Sequence, residues 1–145
     1  MNISQSKLKT FRRCPKQYEY KYIEGLEPVR KSVPLALGNW IHSMLEAHYK
    51  GEDWLETYGE LTHKFNGFLT EEKEHYGDLP GISARLMNGY MDFWEEEDKN
   101  LEIISVEEEF EVTITGGLNF KFKPDMIVRD KRDGTVSCWD HKSNK

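Results

Sequence analysis

Along this chain the spacing of apolar residues changes character once, near Asn100. Before that point apolar residues recur every three or four positions. Leu37, Ile41, Met44, Leu45 and His48 do so within LALGNWIHSMLEAHY, Trp54, Leu55, Tyr58, Leu61, Phe65, Phe68 and Leu69 in a second stretch, and Ile82, Leu86, Tyr90, Phe93 and Trp94 in a third. This is the rhythm of helices that bury one face. After it, Ile104, Val106, Phe110, Val112 and Ile114 alternate, which is the rhythm of a strand with one face covered. The order predicts an α+β chain: a helical part over 1–99, then an antiparallel three-stranded meander over 100–145, within a single domain 1–145.

Local signals divide the two parts further. Ser4 is placed to cap a short helix carrying Leu8 and Phe11, and Pro15, after Cys14, interrupts it. KQYEYKYIEGL resumes as helix or extended turn and stops near Gly25. Asp53 is an N-cap for the stretch from Trp54, which the Gly77 to Gly81 region with Pro80 is expected to close. In the second part, Glu107 to Glu109 interrupt the first strand, Thr115-Gly116-Gly117 make a turn, LNFKFKPDMIV is a second strand, KRDG a tight loop, and TVSCWDHK a third strand. The aromatic residues at helical spacing are read as core.

A length of 145 residues suffices for one apolar core. The chain has no apolar run long enough to span a bilayer, and polar and basic residues stand where a signal peptide needs an apolar stretch, so a cytoplasmic protein with no membrane partner is expected. Cys14 and Cys138 fit neither a zinc spacing nor a disulfide framework. The net charge of −6 hides a division: residues 1–31 hold eight basic and three acidic side chains, 46–111 hold five and nineteen, and 112–145 hold seven and four. Basic ends attract phosphate and an acidic middle repels it, so contact with a polyanion is expected at the ends.

The last hairpin carries the chemistry. With KRDG as a four-residue loop, paired residues have numbers summing to about 265 and Asp125 faces Asp140. Opposed residues share a face with Cβ atoms about 4.5–5.5 Å apart, and alternation brings Lys142 beside Asp140. Two facing carboxylates need a cation or a proton between them. Oxygen ligands suit Mg2+ or Mn2+ better than zinc, and a lysine beside them can stabilise charge on a phosphate or orient water, so the set is one for phosphodiester hydrolysis. The plainer reading makes both acids polar strand ends, which the flanking MIV and TVSCW oppose, because an unneutralised acid among apolar residues is costly. Among Glu107 to Glu109 and Glu111 a solvated strand edge is favoured over a further site residue. Lys121 and Lys123 either touch phosphate or face water.

Pro124 and Asp125, then Asp140, His141 and Lys142, match the PD…(D/E)xK signature. ISQSKLKTFRRCPKQYEYKYIEGL resembles the S-x-S-x-L…CP…Y-x-Y opening of RecB-like nucleases, and LGNWIHSMLEAHY resembles their G-x-x-x-H-x-x-L-E helix, with Gly38, His42, Leu45 and Glu46 in place. The chain is therefore similar to the PD-(D/E)xK nuclease superfamily, in its RecB-like and CRISPR-associated exonuclease branch, with a phage-encoded relative also in view. The resemblance implies a restriction-endonuclease-like core and metal-dependent cleavage of DNA, by an exonuclease in recombination, repair or phage DNA processing. It implies a metal held by His42, Asp125, Asp140 and the backbone carbonyl of His141. Catalytic roles fall to His42, Asp125, Asp140 and Lys142, and Lys7, Lys9, Arg12, Arg13 and Lys16 would guide the DNA end or single strand. Without the motif, His42 would be read as an interior histidine paired with Glu46.

Relatives continue past the (D/E)xK strand with a helix bearing Q-x-x-x-Y, whereas this sequence has three residues after Lys142. The expectation is a partial domain, completed by further chain, a partner chain or self-association at the open strand edge. Some relatives bind a 4Fe–4S cluster through one N-terminal and three C-terminal cysteines. Cys14 stands at the first position and the other three are missing, so no cluster is expected in this chain. The rival readings are a nuclease fold that grips DNA or a partner without cutting, and a phosphodiesterase acting on RNA.

Overall fold

The computed structural model describes residues 2–142. In chain order these form β1 (Asn2–Ser4), α1 (Gln5–Arg13), α2 (Pro15–Tyr18), a π-helical turn (Glu19–Ile23), α3 (Val33–Tyr49), α4 (Trp54–Asn66), α5 (Thr70–Tyr76) and α6 (Leu79–Asp98). The strands β2 (Leu101–Val106), β3 (Phe110–Thr115), β4 (Leu118–Phe122), β5 (Met126–Asp130) and β6 (Val136–Trp139) follow. The class is α+β, as the periodicity implied. The elements make two compact units interleaved in sequence: residues up to Arg30 with Glu108–Pro124, and Lys31–Glu107 with the residues from Asp125 onward.

The strands expected as one meander are shared between two three-stranded sheets, ordered β1-β4-β3 and β2-β5-β6. Both long expected strands are cut. Glu107, with φ of 53°, ends β2 in a left-handed conformation that no strand tolerates. Pro124, which has no N–H to give a ladder, separates β4 from β5.

In the first unit, the Ser4 hydroxyl accepts from the Lys7 amide at 3.4 Å and caps α1. Pro15 takes the first position of α2, where a missing N–H costs nothing. The Glu24 amide reaches the Glu19 carbonyl at 3.0 Å, the five-residue step of a π turn. β1 pairs parallel with β4, and β4 antiparallel with β3. Gly116 and Gly117, with φ of 55° and 76°, join β3 to β4. A two-residue hairpin loop of this kind needs both residues in the left-handed region.

In the second unit, α3 packs against α4, α6 and β2. Pro34 sits in its first turn, and its buried residues are Ala36, Trp40, Met44, Leu45 and Ala47. Trp40 meets Phe65 edge-on at 6.2 Å within a cluster that includes Leu79. Met44 and Leu45 pack with Met87, and beyond them Leu101, Met126 and Val128 form a cluster lined by Tyr49, Ile103, Val106 and Trp139. Met87 and Met126 are fully buried, so truncating either to alanine should cost about 2–5 kcal/mol.

Two helix expectations change. Gly67 caps α4, and Glu72 accepts from the Leu69 amide to start a separate α5. Pro80 then opens α6 instead of closing the helix before it. On α6 the buried positions are Leu79, Ser83 and Met87, while Ile82, Leu86 and Phe93 are exposed. The inward face is rotated from the one with most apolar residues because the small Ser83, its hydroxyl donating to the Pro80 carbonyl at 2.9 Å, allows close packing.

In the second sheet the β5–β6 partners run from Met126 opposite Trp139 to Arg129 opposite Val136, numbers that sum to 265 as expected. β2 lies on the other side of β5, with Val106 opposite Met126 and a bulge between Ile103 and Ser105 that turns Ile104 outward. Among the described residues no helix is long and apolar enough to cross a membrane.

Candidate metal centre

Each ladder of the second sheet, extended by one place, ends on an acid. Glu107 follows Val106 and its amide donates to the Asp125 carbonyl at 2.9 Å. Asp125 precedes Met126, and Asp140 follows Trp139. Three neighbouring strands therefore present Glu107, Asp125 and Asp140 in a row at one end of the sheet. His42 comes to the row from α3. It lies three residues before Leu45 and seven before Tyr49, so the three share a helix face, and Tyr49 rests on the cluster of Leu101, Met126 and Val128.

His42 Nδ1 stands 3.6 Å from Glu107 Oε1 and 3.6 Å from Asp125 Oδ1. One ligand atom from each of the three lies within 4.8 Å of the others. Around an octahedral ion with bonds of about 2.1 Å, adjacent donors are about 3.0 Å apart and opposite donors about 4.2 Å, so a separation of 3.6 Å lies within reach of one cation. The Glu107 and Asp125 side chains are 14% and 15% exposed. Burial makes the Asp125 carboxylate costly to keep charged, and a divalent ion removes that penalty. The donor set fits a metal.

Asp140 differs. Its side chain is 61% exposed, and Lys142 Nζ contacts its Oδ2 at 2.5 Å. That hydrogen bond and charge hold Asp140 below the usual carboxylate range, and they raise Lys142. Asp125 moves the other way: burial pushes its carboxyl up, and the neighbouring Asp140 adds to the rise, while the His141 amide and His42 oppose it.

The His141 amide donates to Asp125 Oδ2 at 2.5 Å. Its ring is stacked on Tyr49, with centroids 5.8 Å apart and planes at 8°, and it meets Tyr90 and His42 edge-on at 5.8 and 6.2 Å. Burial holds the imidazole below its ordinary value, so the neutral form is favoured.

Of the expected residues, then, the fold brings His42 and Asp125 into one tight group. Asp140 and Lys142 form an ion pair beside it, and His141 reaches Asp125 through its amide. The alternative partner of His42, Glu46, bonds Lys50 at 2.5 Å instead. Glu107 joins this group, where a solvated strand edge is the expectation for Glu107 to Glu109 and Glu111. Its signal was the break in alternation at 107–109, but choosing among three consecutive glutamates requires the β2–β5 register. The basic residues lie in the first unit. Arg13 bonds Gln17 at 2.7 Å, Lys16 pairs with Glu19 at 2.7 Å, Lys7 stands over the Tyr22 ring, and Lys9 and Arg12 are exposed on α1. Cys14 caps α2 through its sulfur, and Cys138 is exposed on β6.

No curated protein matches the chain. The sequence model of the PD-(D/E)XK nuclease superfamily matches residues 2–145. That match covers α3 with His42 and the strand ends with Asp125, Asp140 and Lys142, so sequence and geometry agree that the chain belongs to the PD-(D/E)XK nuclease superfamily, a group of metal-dependent nucleases.

Proposed function

We propose that the chain is a Mg2+- or Mn2+-dependent deoxyribonuclease that hydrolyses phosphodiester bonds from DNA ends, in recombination, repair or phage DNA processing. The observation that carries this reading is the approach of His42 Nδ1 to both Glu107 and Asp125 at 3.6 Å, next to the Asp140–Lys142 pair. In this reading His42, Glu107 and Asp125 hold the ion, and Asp140 and the His141 backbone lie at its edge. A divalent ion there would supply a water of lowered pKa and neutralise charge on the phosphate. One imidazole with two carboxylates lies between the preferences of zinc and magnesium, which favours Mn2+ over Mg2+.

The remaining steps belong to the side chains. Asp140, kept ionised, holds Lys142 charged beside the row of acids. From there the ammonium can donate to a phosphate oxygen or hold the attacking water, stabilising charge where it develops. Lys7, Lys9, Arg12, Arg13 and Lys16 would bind the DNA backbone through its phosphates, an interaction that weakens with salt.

Incubating the protein with linear duplex, closed circular DNA, single strands and RNA in Mg2+, Mn2+ or EDTA tests the reading. Loss of linear DNA that requires the ion and spares closed circles is expected. Equal loss in EDTA, or no cleavage of DNA with either ion, overturns it, and preference for RNA transfers the site to ribonuclease chemistry.

A further inference from the structure

Behind His141 lies a polar cluster that the proposed chemistry does not use. Tyr49 at the end of α3, Tyr90 on α6 and Asp98 at the end of α6 meet through their side chains. The Tyr49 hydroxyl donates to Asp98 at 3.1 and 3.2 Å and lies 2.7 Å from the Tyr90 hydroxyl. A phenol has one proton. With that of Tyr49 given to the carboxylate, Tyr90 is the donor in the 2.7 Å contact, and the order Tyr90 to Tyr49 to Asp98 is set. Burial pushes both phenols up, Tyr90 to about 12, so the chain of donors stays intact at neutral pH. His48 Nε2 lies 3.9 Å from the same carboxylate.

We propose that Tyr49, tethered by Tyr90 and Asp98, is a positioning residue: its ring holds the His141 imidazole, and thereby the amide that fixes Asp125. Three features support this. Tyr49 lies parallel to the imidazole, at 8°, while Tyr90 closes on it from the edge at 81°, so two rings limit both tilt and slide. The amide of that same residue makes the 2.5 Å bond to Asp125 Oδ2, leaving Oδ1 as the atom facing His42. His141 also follows β6 beyond its last ladder pair, so ladder hydrogen bonds do not set its position. Packing against Tyr49 and Tyr90 orients its ring. A partner that orients a ligand from outside the donor set tunes metal affinity by about 10- to 100-fold.

The inference rests on the metal site proposed above, and two readouts on the full chain separate its failure from failure of that site. The first is the His141 amide in the metal-free protein, observed by proton–nitrogen NMR. A short bond to a carboxylate shifts this proton downfield. The second is the Mn2+ dissociation constant without DNA. Tyr49→Leu should move the His141 amide upfield and weaken Mn2+ binding about tenfold, whereas Tyr49→Phe, which keeps the ring and loses only its tether, should move the amide less and weaken binding less. Tyr49 also packs on the β-sheet cluster, so Asp98→Ala serves if Tyr49→Leu does not fold. It frees the ring from its tether and should shift the same amide, with a smaller loss of Mn2+ affinity. An unmoved His141 amide in Tyr49→Leu, or in Asp98→Ala where the former does not fold, overturns the proposal. Weakened Mn2+ binding with an unmoved amide does so as well, since the role would then be general packing. A wild-type chain that binds no Mn2+ contradicts the metal site itself, while the amide still decides the role of Tyr49.

Discussion

Asp125 and Asp140 stand one place beyond neighbouring strands of the same sheet, yet they live in opposite conditions. Asp125 immediately precedes the central strand, is 15% exposed, and faces Glu107 and His42. Asp140 follows from the edge strand, is 61% exposed, and holds Lys142. Burial raises the first acid and the lysine lowers the second. A pair of acids that looks symmetric in sequence is thus divided by sheet order. The inner one, costly to ionise alone, is suited to a cation, and the outer one is ionised already and suited to holding the lysine in place.

The largest effect is expected at Asp125. Asp125→Asn should lower cleavage by about 10³-fold or more and abolish measurable Mn2+ binding, without lowering the melting temperature of the metal-free protein, because it removes a charge that burial disfavours. Lys142→Met comes next, with about 10²- to 10³-fold lost in kcat and Mn2+ affinity unchanged. Equal loss of metal binding in this variant would merge the inner and outer groups into one. Glu107→Gln should weaken Mn2+ binding by about 10- to 100-fold, comparable to or above the loss of an orienting partner. Unchanged affinity would return Glu107 to the role of a strand-edge residue.

pH provides a finer separation. Because the folded value of Asp125 is raised, its contribution to metal-free stability is present below its unfolded value, about 3.9, and is lost as pH rises through the folded value. The contribution of Asp140 is present above that unfolded value and is lost as pH falls through its depressed one. The melting temperature of the metal-free wild type should therefore fall relative to Asp125→Asn as pH rises from about 4 to 7, and Mn2+ binding should strengthen over the same range. The smallest effect is structural. The Asp140–Lys142 pair is exposed, so Lys142→Met should shift the melting temperature by no more than about 2 °C.

How far the sequence alone could go is seen in the same two acids. The β5–β6 register was legible because KRDG fixes the loop length, and a fixed loop sets every pair that follows it. Glu107 was not legible, since its place depends on β2 lying against β5 across an insertion of two strands, a pairing that no local turn specifies. The division of the meander has the same origin. Pro124 was visible as a motif residue, but its missing N–H also ends one strand and begins another. Trp40 was overlooked on α3 for a simpler reason: it falls beside Leu37 and Ile41, and apolar spacing alone does not say which of several adjacent residues faces inward.

In the proposed site His42, Glu107 and Asp125 share one divalent ion. Anomalous diffraction from crystals grown with Mn2+ tests it directly. A single strong peak is expected about 2 Å from His42 Nδ1 and from one oxygen each of Glu107 and Asp125. A Mn2+ ion bound elsewhere, or no peak between these three side chains at saturating Mn2+, would contradict it.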